Sequence, residues 1–278
     1  MKRIVTVQDI SCVGRCSLTV ALPIISAAGV EACVVPTAVL STHTGFPKFT
    51  FHDLTDEIAP ITDMFGELDI DFDAIYTGYL GSFRQIELVE NFYEGCKNKP
   101  FLLVDPAMAD HGKLYKGFTP EFAARMAKLV AKADLVIPNI TEACFMLGKE
   151  YKESYDESYV KELLRGLTDM GAKTAALTGI SLNEGEIGYY AYDSQNDRFY
   201  SYYNEKLNVA YHGTGDIFAS ATLGALMRGL PTASALAVAT DYTLECMKYT
   251  MADEQRRFYG VNFEEALPFY ISRITEAI

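Results

Sequence analysis

The sequence predicts a three-layer αβα protein with a central, mostly parallel sheet, helices on both faces and an antiparallel hairpin at one edge. Three observations carry that expectation. Short β-branched runs alternate with helical patterns over the first two thirds of the chain, the rhythm of α/β units. Two aromatic-rich runs, 187–192 and 199–203, flank a turn-like stretch at 193–198, which reads as an added hairpin. No repeat, low-complexity tract or Gly/Ser/Pro linker interrupts the 278 residues, so 1–278 reads as a single domain.

In chain order, strands are expected at 4–7, 32–35, 74–77, 101–104, 135–137 and 174–177. Between them, helices are expected at 17–28, 82–96, 120–131 and 158–170, with Gly29 and Gly171 placed as helix stops. After the hairpin, a small-residue helix is expected at 217–228. An alanine-rich helix opens at Pro231-Thr232 and runs to about residue 248, and a short helix is expected over 263–274. Residues 40–60 are polar, aromatic and irregular, and read as a loop or small flap over a site rather than a core layer.

The charge balance, 24 basic against 37 acidic residues, disfavours nucleic acid and anionic lipid as partners, since phosphate backbones are held by clustered Lys and Arg. Any phosphate must therefore be held locally, by backbone amides, a metal or a few side chains. The N-terminal apolar run breaks at Gln8 and Asp9, too short for a signal peptide or membrane span. A cytoplasmic protein with six reduced cysteines is expected. Cys12 and Cys16 lack the second Cys or His pair that a zinc site requires.

Gly213-Thr214-Gly215-Asp216 is the sharpest local signal. Its glycines allow close backbone approach, and a helix starting there directs unpaired N–H groups at an anion. Thr214 can add a hydroxyl. Asp216 then reads either as a simple helix cap or as a base that takes the proton from an attacking alcohol. Asp105, at the end of a strand, reads as an Asp-Pro turn or as a carboxylate holding Mg²⁺ through water. Asn139 and Glu142 have capping-box spacing, compatible with Glu142 also reaching a metal-bound water or a phosphate. His43, in Ser41-Thr42-His43-Thr44-Gly45, could present hydrogen bonds to a ring, and Tyr79 directly follows a strand. No Gly-x-Ser-x-Gly elbow is present, and the first strand leads into Gln8-Asp9-Ile10-Ser11 rather than Gly-x-Gly-x-x-Gly.

Taken in order, these pieces resemble the pyridoxal/pyridoxamine (vitamin B6) kinase family of the ribokinase-like superfamily. They are Val7-Gln8, residues 41–45, Thr77-Gly78-Tyr79, Asp105-Pro106-x-Met108-x-Asp110, Pro138-Asn139-x-x-Glu142-Ala143 and Gly213-Thr214-Gly215-Asp216-x-Phe218. The likeness runs from Val5 to about Tyr249. It implies an αβα homodimer that moves phosphate from Mg-ATP to the 5′-hydroxymethyl of pyridoxal, pyridoxine or pyridoxamine. By resemblance, Asp216 is the base and Gly213, Thr214 and Gly215 form the anion hole. Thr44 and Tyr79 match ring-contacting positions, with His43 close by, and Asp9, where the family has its ring-binding Ser, could pair with the ring nitrogen or its phenolic neighbour. Asp105 and Glu142 match the region that organises Mg²⁺ and a monovalent cation such as K⁺. Asp110, Asn139 and Thr178 match the nucleotide side.

Two departures bear on the substrate. The family's Gln-Ser-His is here Gln8-Asp9-Ile10, and an acid at that position resembles the hydroxymethylpyrimidine kinases of the same superfamily. The glycine-bearing stretch after the first strand is shortened to Gly14-Arg15-Cys16. A hydroxymethylpyrimidine kinase is therefore the alternative within the class. A non-catalytic pyridoxal phosphate binder is the alternative outside it, disfavoured because a pure binder needs no base.

Overall fold

The computed structural model describes residues 1–277. The chain runs β1 (Arg3–Ser11), α1 (Leu18–Ala27), β2 (Glu31–Leu40), β3 (Phe51–Asp53), α2 (Thr55–Glu67), β4 (Ala74–Thr77), α3 (Phe83–Gly95) and β5 (Phe101–Val104). It continues through the two-residue strands β6 (Ala109–Asp110) and β7 (Lys113–Leu114), then α4 (Pro120–Val130), β8 (Leu135–Val136), α5 (Ile140–Leu147), α6 (Glu157–Asp169) and β9 (Thr174–Ile180). The hairpin β10 (Glu186–Asp193) and β11 (Arg198–Glu205) precedes α7 (Thr214–Met227), α8 (Thr232–Ala252) and α9 (Leu267–Ala277).

Nine strands form one sheet in the order β11-β10-β9-β8-β5-β4-β1-β2-β3. The six central strands are parallel, while β3 and the β10–β11 hairpin add antiparallel edges. Strand side chains alternate between faces. Val5, Val7, Ile75 and Val104 meet Ile86, Phe122 and Leu163 in one core. Ile4, Tyr76 and Leu103 meet Ile24, Ile217 and Leu236 in the other. The predicted three-layer class and edge hairpin are thus both present.

Local signals explain the helix ends. Ser82, Thr119 and Asp156 each accept a backbone N–H from the first turn of α3, α4 and α6, caps worth about 1 kcal/mol apiece. Helix α7 is built from small residues because it packs tightly. A Cβ on Gly224 would overlap the Tyr270 hydroxyl and lie 2.9 Å from Ala28 Cβ.

The expectation of an irregular segment over 40–60 is corrected. Within it, 41–50 and Leu54 lack regular structure; β3 spans Phe51–Asp53, and α2 begins at Thr55 with Ile58 buried in the core. Pro60 lies inside α2, as Pro23 lies inside α1. Each proline removes an intrahelical hydrogen bond, so tertiary packing sustains these helices. Strand β1 also outruns its predicted end. Gln8, Asp9 and Ser11 continue it and are buried although polar. Among the described residues no helix is long and apolar enough to cross a membrane.

Candidate active site

The carboxyl ends of β1, β4, β5 and β8 open on the same edge of the sheet, where open α/β folds bind ligands. Helix α7 starts there. Gly213, its N-cap, has φ 83°, and the first internal bond runs from Ile217 N–H to the Gly213 carbonyl at 3.0 Å. The amides of Thr214, Gly215 and Asp216 precede that bond and are free to face an anion. Asp216 lies in the first turn and does not cap the helix, since α7 has no side-chain cap bond. The cap alternative for Asp216 therefore falls away.

Asp216 keeps a partly open face. Burial on its other sides, reinforced by the charge of Asp105, pushes its pKa up to about 7; the Ser17 backbone amide opposes the shift and Asp9 adds to it. A carboxylate near neutrality suits a base that must accept a proton in the reaction and shed it afterwards. Asp105 is buried, its Oδ1 accepting from Ala107 N–H at 3.2 Å; desolvation and the neighbouring Glu142 raise its pKa.

Asn139 and Glu142 form the capping box that the spacing predicts. Glu142 also accepts from Met108 N–H at 3.0 Å, while Asn139 Nδ2 donates to the Ala109 carbonyl at 2.8 Å. The pair thus clamps residues 108–109 onto α5 and presents Asp110, which is exposed, at the rim. Thr178 lies within β9 rather than after it, and its N–H donates to the Pro138 carbonyl at 3.0 Å.

Asp9 is buried without a cationic partner. Its oxygens accept from the hydroxyls of Ser17 at 2.6 Å and Ser11 at 3.3 Å, and burial raises its pKa despite both bonds. Tyr79 lies close enough to feel the Asp9 charge, with its ring 5.5 Å from that of Phe118. His43 is committed at both nitrogens: Nδ1 accepts from Gly45 N–H at 3.0 Å, so Nε2 carries the proton and donates to the Tyr259 carbonyl at 3.1 Å. Neither nitrogen remains for a ligand. Thr44 is exposed in the same loop. Sequence reading missed Tyr115, whose hydroxyl senses Glu142, Asp110, Asp105 and Asp216, and Ser17, which touches Asp9. No motif marks either residue.

Among the described residues no group of three or more His, Cys, Asp or Glu side chains is placed to hold a metal unaided. The donors present fit Mg²⁺ that arrives with phosphates, because that ion commonly takes one or two carboxylates plus substrate oxygens. Asp105 would hold it, with Glu142 behind, and it would supply positive charge between the acids and the nucleotide.

The acids also predict a pH dependence of stability. A carboxyl whose folded pKa exceeds its unfolded value binds more protons when folded, so stability falls as pH rises through that window. Asp9, Asp105, Glu142 and Asp216 all shift this way. The ligand-free chain should melt higher at about pH 6 than at about pH 8, and Asp105→Asn should flatten the slope. Differential scanning fluorimetry checks this; a melting temperature rising with pH would contradict it.

An open αβα sheet, with an acid beside a helix N-terminus at its carboxyl edge, is the arrangement of a ribokinase-like kinase. The model of the phosphomethylpyrimidine kinase family matches residues 21–259, and the chain belongs to that family. A Bacteroides thetaiotaomicron structure, provisionally named a phosphomethylpyrimidine kinase and crystallised with pyridoxal, is 39% identical with a TM-score of 0.92, covering 97% of this chain and 95% of its own. Lactobacillus plantarum pyridoxal kinase is 28% identical with a TM-score of 0.90, over 98% of this chain and 97% of its own. Pyridoxal kinase of Dictyostelium discoideum is 25% identical over 265 residues, 88% of this chain and 82% of that protein.

Proposed function

We propose that this kinase transfers the γ-phosphate of ATP to the 5′-hydroxymethyl group of pyridoxal, pyridoxamine or pyridoxine. The observation that carries the reading is the pairing of Asp216, in the first turn of α7, with the free amides of Thr214 and Gly215 at the start of the same helix. Asp216 takes the hydroxyl proton as the alcohol oxygen attacks the γ-phosphorus. The new O–P bond forms in line with the breaking bond to the bridging oxygen, and ADP leaves with that electron pair. The amides stabilise charge spreading over the phosphoryl oxygens, where most of the rate enhancement arises.

Mg²⁺ accompanies ATP in this reading, and a monovalent cation such as K⁺ would lie near Asp105 and Glu142. Asp110, Asn139 and Thr178 belong to the nucleotide side. Asp9 and Tyr79, with His43 and Thr44, form the acceptor side. A cytoplasmic homodimer of single-domain chains completes the proposal, resting on the resemblance.

A second reading, hydroxymethylpyrimidine as acceptor, is favoured by Asp9 and by the family model. A coupled ATP-consumption assay over pyridoxal, pyridoxamine, pyridoxine and hydroxymethylpyrimidine separates the two. We expect kcat/KM for a B6 vitamer to exceed that for the pyrimidine by about tenfold or more, the scale of discrimination a few pocket contacts supply. Turnover confined to the pyrimidine would replace the first reading with the second.

A further inference from the structure

Ser17 departs from what its position calls for in three ways. It occupies the N-cap of α1, yet its side chain makes no capping bond. Its backbone sits at φ 50°, ψ −133°, a conformation normally left to glycine. Its hydroxyl donates instead to Asp9 Oδ1 at 2.6 Å. Strain of this kind is unfavourable and persists only where its surroundings impose it.

The surroundings that impose it are identifiable. Two residues earlier, the Arg15 guanidinium bonds Asn262 Oδ1 and, at 3.2 Å, Glu264 Oε1, tying residues 14–17 to the chain after α8. Asn262 is itself buried, and its N–H donates to Thr250 Oγ1 at 2.7 Å. The Arg15 carbonyl packs directly against Gly213. One short loop therefore touches both Asp9 and the backbone at Gly213, where α7 begins.

We propose that Ser17 is a positioning residue of this kinase, holding Asp9 on the acceptor side in fixed relation to the start of α7, which carries Asp216 at the phosphoryl side. This rests on the phosphotransfer reading and adds to it the group that aligns acceptor with base. It gives the strain a purpose: glycine would relax the backbone but could not hold Asp9.

The test is Ser17→Gly beside Ser17→Ala, which lacks the hydroxyl but keeps the strain. For Ser17→Gly we expect a melting temperature no lower than wild type. We also expect kcat/KM for pyridoxal to drop about tenfold or more, as for a lost orienting bond, with KM for ATP within about twofold. Ser17→Ala should lose pyridoxal turnover similarly. Calorimetric pyridoxal affinity should weaken in both variants. Pyridoxal turnover within twofold of wild type in Ser17→Gly would overturn the proposal, as would equal losses toward pyridoxal and ATP. A wild type inactive on every acceptor would instead overturn the phosphotransfer reading, and pyridoxal affinity would then decide the role of Ser17.

Discussion

Asp216→Asn will lower turnover about 10²–10⁴-fold and leave KM for ATP close to wild type. The amide keeps the size and shape of the side chain, so the start of α7 and its free N–H groups persist. What disappears is the capacity to take the alcohol proton. Losing a charge that is part-enclosed and set against Asp105 and Asp9 also relieves repulsion, so the variant should melt at or above the wild-type temperature. Steady-state kinetics with a melting curve checks both halves. Turnover within about tenfold of wild type would remove Asp216 from the chemistry.

Gly213→Ala is expected to be nearly as damaging, for a different reason. The residue sits at φ 83°, where an L side chain adds of order 1–2 kcal/mol. A Cβ there would also overlap the Arg15 carbonyl oxygen, so either the loop at 14–17 retreats or the amides at the head of α7 rotate. Either movement misaims donors that must meet the transferring phosphoryl, and one misplaced donor costs about 10²–10³ in kcat. Gly215→Ala is the companion variant. Nothing lies within 4 Å of a Cβ at that position, so its loss should be smaller by tenfold or more. Equal losses in the two variants would show that Gly213 matters for flexibility rather than for its contact with Arg15.

Much of this protein was legible from local rules. Alternating strand and helix patterns, the polar turn at 193–198 and the Gly-Thr-Gly-Asp string led to the sheet class, the edge hairpin and the helix that follows the glycines, since each depends on neighbours in sequence. The capping box at Asn139 and Glu142 was legible for the same reason. Helix α2 was hidden because Pro60 breaks its periodicity, and the ends of β1 were hidden because Gln8 and Asp9 are polar where a strand pattern calls for apolar residues. His43 looked like a ring-binding group, but the fold commits both its nitrogens to backbone partners.

The layer architecture and the helix start behind Gly213 are thus written into short stretches of sequence, because hydrophobic period and helix-start chemistry are encoded within a few residues. Only the folded chain brings Asp9 and Asp105 near enough to raise the pKa of Asp216, and seats Ser17 on Asp9 eight residues away. Ionisation and alignment depend on groups brought together across the sheet, and no local pattern records those distances.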